Sequence, residues 1–223
     1  MEQKRLCPYC MGELPPAADS CVHCGKVFAG RNPAGCLPVG TVLAGRYTVG
    51  EMRSLDGEGV LYSGVENLGG FRVTIKEYLP VTLSAERGAD CILRPKQGSE
   101  VLFKTTRMDF ADLYRAIQRI TPASGLEAVL DVVSTFAIAE LLTMNNINTV
   151  YAVLENLGGT PLEQWLENRP APVQAEDACA MLCPVFEGVA AMHKAGLVHR
   201  GICPENIRVM ADGRCRLAGY ATV

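Results

Sequence analysis

Four cysteines near the N-terminus offer the most defined chemistry in this chain. Cys7-Pro-Tyr-Cys10 and Cys21-Val-His-Cys24 are two C-x-x-C pairs separated by ten residues, with Gly25 after the second. Each pair forms a tight knuckle, and two knuckles present four thiolates to one tetrahedral ion. Zinc suits such a set because it imposes no ligand-field geometry and favours soft sulfur; iron fits the same four sulfurs. A segment of about 25 residues buries too little surface to fold unaided, so the metal would supply most of its folding free energy. His23 lies inside the second knuckle and reads as a spacer, not a ligand. Two disulfides or free thiols are the alternative, and the reducing compartment inferred below argues against the disulfides. Cys36, Cys91, Cys179, Cys183, Cys203 and Cys215 show no second metal spacing. Cys179 and Cys183, four apart on a predicted helix, read as buried small hydrophobes.

Beyond residue 40 the chemistry is carried by segments and not by a cluster. They are Leu37-Pro-Val-Gly-Thr-Val-Leu-Ala-Gly-Arg-Tyr-Thr-Val-Gly50, Val73-Thr-Ile-Lys-Glu-Tyr-Leu-Pro80, Tyr151-Ala-Val-Leu-Glu-Asn-Leu-Gly-Gly-Thr-Pro-Leu-Glu-Gln-Trp-Leu166 and Met192-His-Lys-Ala-Gly-Leu-Val-His-Arg-Gly-Ile-Cys-Pro-Glu-Asn-Ile207. In their order and spacing, residues 41–223 resemble the first two-thirds of a protein kinase domain of the bacterial Ser/Thr type that follows a zinc ribbon. The resemblance implies an α+β fold: a kinase-like N-lobe with an antiparallel sheet and its αC helix, then a partial helical C-lobe, all preceded by the small ribbon. It implies a division into ribbon 1–26, linker 27–40 and kinase-like domain 41–223. Within the last, the N-lobe spans about 41–154, the hinge 155–159, and a truncated C-lobe 160–223.

The departures from the family pattern fall on the positions that handle ATP. In the glycine-rich loop, Ser54-Leu-Asp-Gly-Glu-Gly-Val-Leu-Tyr62, only Gly59 matches a family glycine; Ser54 and Asp56 replace the first two. Asp56 and Glu58 put negative charge where a triphosphate would lie, and the segment reads as an acidic hairpin turn. Lys76 matches the strand lysine that holds the α- and β-phosphates, with a retained surface cation as the alternative reading. Thr74 stands where the family has the alanine that roofs the adenine pocket. The helical glutamate that orients the lysine aligns with Leu113; Asp112 is adjacent but points about 100° away around the helix. In His199-Arg-Gly-Ile-Cys-Pro-Glu-Asn206, Gly201 replaces the aspartate that accepts the substrate's proton, while Asn206 matches the metal-binding asparagine. In Gly219-Tyr-Ala221, Gly219 replaces the metal-chelating aspartate of Asp-Phe-Gly.

A kinase works mainly by positioning and charge neutralisation, so these losses are informative. A positioned acid–base group contributes about 10²–10⁴-fold, and a bound metal several kcal/mol more. The resemblance thus implies no catalytic residue at Gly201, Gly219 or Leu113. It leaves Lys76, Asn206 and the hinge residues Glu155 and Leu157 as a vestigial nucleotide site. The expectation is a pseudokinase and not an enzyme, a scaffold or allosteric signalling module with structural Zn2+ and with ATP/Mg2+ binding in doubt. Two alternatives remain: an atypical Ser/Thr protein kinase with residual ATP binding and transfer, and a ribbon that itself binds protein or nucleic acid.

The elements that must position these residues are visible in the pattern. Strands are expected at Arg46–Met52, Val60–Val65 and Phe71–Tyr78, where β-branched and aromatic residues alternate between glycine turns. A helix is expected at 108–120 from Phe110, Leu113, Ile117 and Ile120 on one face. Residues 79–100 read as irregular, 128–137 and 148–155 as strands, 161–168 and 173–195 as helices, with a kink at Pro184. The tail from Leu197 reads as loop and short strands.

Composition sets the outer limits. The chain has 223 residues, 48% hydrophobic and 20% charged, with a formal charge of −3. That is a globular balance and argues against a nucleic-acid partner, which calls for a basic face. Residues 1–31 offer only Lys4, Arg5, Lys26 and Arg31. No apolar core follows the basic N-terminal residues, and the apolar stretch 125–142 is broken by Glu127, Asp131 and Glu140. A cytoplasmic, reducing location is expected, with no membrane segment and a protein partner.

Overall fold

A computed structural model describes residues 5–15, 18–27, 31–87, 92–120, 125–134 and 149–222. The chain divides into two compact units. One comprises Met1–Ala111 with Asp131–Leu154, the other Asp112–Leu130 with Glu155–Val223.

The first unit is built on a six-stranded sheet ordered β1-β2-β3-β4-β8-β7. Its strands are β1 (Val42–Leu43), β2 (Tyr47–Leu55), β3 (Gly59–Glu66), β4 (Arg72–Tyr78), β7 (Val129–Ser134) and β8 (Val150–Glu155). β2, β3 and β4 form an antiparallel meander in which Leu61 faces Lys76 and Gly59 faces Tyr78. The β2–β3 turn is set by its aspartate: Asp56 Oδ1 accepts the backbone N–H groups of Glu58 (2.9 Å) and Gly59 (2.8 Å). Such side-chain capping of a turn is what Asp supplies most readily. At Gly59 a Cβ would overlap the Glu77 carbonyl oxygen, so the close passage of β3 over β4 requires glycine there.

Both faces of β4 are covered. On one, Tyr78 packs against Phe103 and Phe110, with ring centroids 5.4 and 5.5 Å apart. These rings belong to helix α1 (Glu100–Ile120). On the other, the buried Glu77 carboxylate accepts hydrogen bonds from Tyr62 (2.7 Å), Tyr151 (3.0 Å) and Arg87. Burial raises the Glu77 pKa, and these three donors, one of them the Arg87 cation, oppose that cost. Tyr62 Oη in turn accepts the Leu37 N–H at 3.0 Å. The Gly/Pro-rich stretch expected as a linker therefore packs on the sheet in its described part. Leu37 is fully buried, and Asn32 hydrogen-bonds Leu37 O (2.7 Å), Gly50 O (3.1 Å) and the Met52 N–H (2.8 Å).

Two sequence expectations are corrected here. Residues 79–100 are not wholly irregular, because β5 (Ser84–Arg87) and β6 (Leu93–Pro95) pair antiparallel. α1 begins eight residues before the expected start. Its first turns expose Val101 and Leu102 and carry Thr105 and Thr106, whose hydroxyls bond back to the carbonyls of residues 101 (3.0 Å) and 102 (2.8 Å). Phe103 faces inward from those turns, but Arg107 is the next buried position, so an unbroken apolar period begins only at Phe110. The segment 135–148, which takes in the end of the first expected strand and the first residue of the second, lies outside the described residues.

The second unit holds β9 (Thr160–Pro161), α2 (Leu162–Glu167), α3 (Ala175–Lys194), β10 (Ile207–Val209) and β11 (Cys215–Leu217), with a three-stranded sheet ordered β11-β10-β9. α3 runs unbroken through Pro184, where Gly125 packs so closely that a Cβ would overlap the Pro184 carbonyl. Its buried residues are Val185, Gly188 and Met192, while Cys179 and Cys183 are exposed. The expectation that this pair is buried is wrong: the helix turns a different face inward than the four-residue spacing suggested. Among the described residues no helix is long and apolar enough to cross a membrane.

Candidate metal centre and phosphate-anchoring site

The four ribbon cysteines come together as expected, their Sγ atoms all within 4.8 Å of one another. Cys7 to Cys24 is 3.8 Å and Cys10 to Cys21 is 3.6 Å. A tetrahedron with metal–sulfur bonds of ~2.3 Å has edges of ~3.8 Å, so the cluster has the size of a four-thiolate metal site. None of the nine described cysteines is in a disulfide. The two knuckles repeat one design. Cys7 N–H donates to Gly12 O and Met11 N–H to Cys7 O, while Cys21 N–H donates to Lys26 O and Gly25 N–H to Cys21 O. Each knuckle closes on a left-handed residue, Met11 (φ 55°) and Gly25 (φ 70°).

Burial pushes the Cys7 thiol up to about 12 and raises Cys10 as well. Burial would also raise Cys21, but the His23 and Cys24 backbone N–H groups and the neighbouring thiols outweigh it and draw Cys21 down to about 6. A bound cation would supply what the others lack, so metal binding must release protons. The His23 ring donates to the Glu13 carbonyl (3.1 Å), consistent with a spacer role. The ribbon is also seated on the sheet: Pro8 O accepts from Glu51 N–H (2.7 Å) and Ser63 Oγ (2.5 Å). A Cβ at Gly50 would overlap that same oxygen.

Lys76 sits in the middle of β4 and is only 4% exposed, so it is not a surface cation. Its ammonium donates to Glu58 Oε2 at 2.9 Å and lies 3.3 Å from Asp56 Oδ2. Glu58 is 6% exposed. The carboxylates on this lysine therefore come from the β2–β3 hairpin. Leu113, at the expected helical position, is half-buried, and Asp112 is exposed and paired with Arg115 at 3.4 Å. The acidic hairpin read as a plain turn is a counter-ion holder. The missed signal was the i, i+2 spacing of Asp56 and Glu58 across from a buried cation. Thr74 is buried on the same strand.

In the second unit the loop positions form a backbone frame. Asn206 Nδ2 donates to Gly201 O (2.8 Å), and Ala218 N–H donates to Asn206 O (2.9 Å). A Cβ on Gly201 would overlap the Gly219 carbonyl oxygen, and one on Gly219 (φ 76°) would press on the Asn206 amide. Two loop segments thus touch where side chains would otherwise lie. His199 is buried against Tyr220 with ring centroids 5.0 Å apart, and burial lowers its pKa to about 4. Tyr220 also meets Tyr114 edge-on and donates to Glu127 O at 2.6 Å. Glu127, which no motif flagged, is buried. Burial first, then the nearby Glu155 charge, raises it to about 8 against the Gly219 N–H, Arg208 and Arg216. Glu155 accepts from Ala128 N–H (2.7 Å) and Arg216, so its side chain is committed to this unit's packing; Leu157 is half-buried beside it.

No protein-family model matches the chain. The chain is similar in sequence to two Mycobacterium tuberculosis proteins. To Serine/threonine-protein kinase PknL it is 47% identical over 66 residues, 30% of this chain and 16% of that protein. To Serine/threonine-protein kinase PknA it is 26% identical over 185 residues, 82% of this chain and 36% of that protein. Among solved structures it resembles the apo form of PpkA-294, with TM-score 0.67, 22% identity, and coverage of 83% of this chain and 62% of that one. It also resembles the M. tuberculosis PknI kinase domain, with TM-score 0.53, 18% identity, and coverage of 83% and 61%. The fold is that of a protein kinase domain preceded by a four-cysteine cluster. The chain spans about a third or less of the length of the curated relatives it matches. One expectation is overturned. That the chain is not an enzyme fails against these comparisons: its relatives are named protein kinases, its neighbours are kinase domains, and nothing in the described geometry demonstrates loss of catalysis.

Proposed function

We propose that this kinase-fold relative of mycobacterial Ser/Thr protein kinases is the nucleotide-binding part of an atypical Ser/Thr protein kinase, with a zinc-bound ribbon seated on its first unit. The observation that carries the reading is Lys76: a buried ammonium on the strand position that anchors phosphates in this fold, held by carboxylates of the loop that covers them. The names of the curated relatives support phosphoryl transfer as the activity. Zn2+ in the Cys7, Cys10, Cys21 and Cys24 site is supported by the tetrahedral spacing of the four sulfurs. Its role here is structural, fixing the knuckle that meets β2 and β3 through Pro8.

The fit to the family's usual ligands is uneven. Lys76 fits a phosphate oxygen only in competition with Glu58 and Asp56, which already hold its ammonium. Positions 201 and 219 offer a divalent ion no carboxylate, which leaves the Asn206 amide oxygen, its Nδ2 being held by Gly201 O. The residues at those positions do not make the family's usual metal site. Without a positioned base at 201, transfer should be slowed by roughly 10²–10⁴-fold relative to a fully equipped site. Incubating the full chain with labelled ATP should show slow label incorporation and nucleotide-dependent thermal stabilisation. Both should disappear in Lys76→Met. Absence of both at millimolar nucleotide would remove the reading.

A further inference from the structure

We propose that Asp56 and Glu58 set the charge specificity of the Lys76 site, disfavouring a triphosphate and admitting ligands with less phosphate charge. The inference rests on the nucleotide reading above and deepens it.

Three observations in the first unit converge. Glu58 and Lys76 are both more than nine-tenths buried and in direct contact at 2.9 Å, so their attraction is poorly screened. Asp56 adds a second carboxylate at 3.3 Å and has its other oxygen fixed by the turn's own N–H groups. The Glu58 main chain is fastened too, because Leu79 N–H donates to Glu58 O at 3.0 Å. The two anions are thus built into the hairpin and not carried by a free loop.

The consequence follows from charge alone. A phosphate oxygen that reaches Lys76 must displace Glu58 or share the ammonium with it. Displacement costs a buried carboxylate its ammonium partner, and sharing places phosphate beside like charge; both are unfavourable. The penalty grows with phosphate charge and vanishes for a ligand with none. Neutralising Glu58 removes most of it without opening a hole, since Gln has the same shape.

Calorimetric titration of the zinc-loaded full chain with adenosine, AMP and ATP, at fixed Mg2+ and salt, tests this. The wild type should bind ATP no more tightly than adenosine. Glu58→Gln should tighten ATP about tenfold, or about 1.4 kcal/mol, and leave adenosine unchanged. Asp56→Asn should act in the same direction more weakly, because Asp56 is half exposed. The gain should vanish in the double variant Glu58→Gln/Lys76→Met, which removes both charges of the buried pair together; melting temperatures check that each variant folds. If wild type binds ATP and Glu58→Gln binds it equally or more weakly, the inference falls alone and Glu58 is a positioning partner of Lys76. If no variant binds even adenosine, the nucleotide reading falls and takes the inference with it.

Discussion

The ribbon and the Lys76 site hold charge in opposite ways. The ribbon gathers four thiol sulfurs within 4.8 Å, a donor set that a metal ion would complete from outside. Lys76 already has its counter-ions, supplied by the hairpin that precedes it in the sheet. A site lacking its counter-charge gains structure when it binds. A site carrying its counter-charge must give something up. The first should respond to its ligand as a folding event, the second as a competition.

The largest effect that sharpens this contrast is metal removal. Structural zinc supplies about 10–16 kcal/mol to isolated ribbons, so chelation or Cys7→Ser should unfold the knuckles. Loss of the Pro8 contacts to Glu51 and Ser63 should then lower the melting temperature of the first unit as well. Hydrogen exchange at the Glu51 amide reads this directly. Unchanged protection after metal removal would mean that the ribbon folds without an ion.

How far each site could be read from sequence follows the same division. The ribbon was legible because ligand chemistry dictates C-x-x-C spacing locally. Lys76, Gly201 and Gly219 were legible because they sit in ordered segments of a recognisable pattern. The pairing of Lys76 with Glu58 was not, since it depends on a β3–β4 register and on a turn whose aspartate directs its neighbours inward. Glu127 was silent for a similar reason: nothing in Leu126-Glu-Ala128 says that the carboxylate is buried near Gly219 and Glu155. Cys179 and Cys183 were misjudged because spacing on a helix shows that two residues share a face, not which face packs. The early turns of α1 were missed because Val101, Leu102 and Phe103 are consecutive and the next inward position is Arg107, a pattern without helical period.

A middle-sized effect tests the glycine frame of the second unit. Gly201→Ala must move the Gly219 backbone and should destabilise by about 1–3 kcal/mol. Gly219→Asp should cost less, because aspartate tolerates a positive φ and the obstacle is only the Asn206 side chain. Denaturant unfolding of the two variants gives the order; the reverse order would mean that the 201–219 contact is not the tight one.

The smallest effect concerns pH. Glu127 titrates near 8 when folded and in the ordinary carboxylate range when unfolded. Between those values the folded chain holds a proton that the unfolded chain has released. Stability contributed by this group is therefore full at low pH and is lost as pH rises through the window toward about 8. Glu127→Gln should flatten the decline expected in wild-type urea midpoints as pH rises from the ordinary carboxylate range to about 8. An equal slope in both proteins would show that Glu127 is already ionised at neutral pH.

The contrast between the two charge sites is tested most directly by a crystal structure of the ATP-soaked chain, read at one atom, the Lys76 Nζ. A phosphate oxygen should replace Glu58 within hydrogen-bond distance of it, with the hairpin displaced. Bound nucleotide with Glu58 still seated on Lys76 would contradict the account.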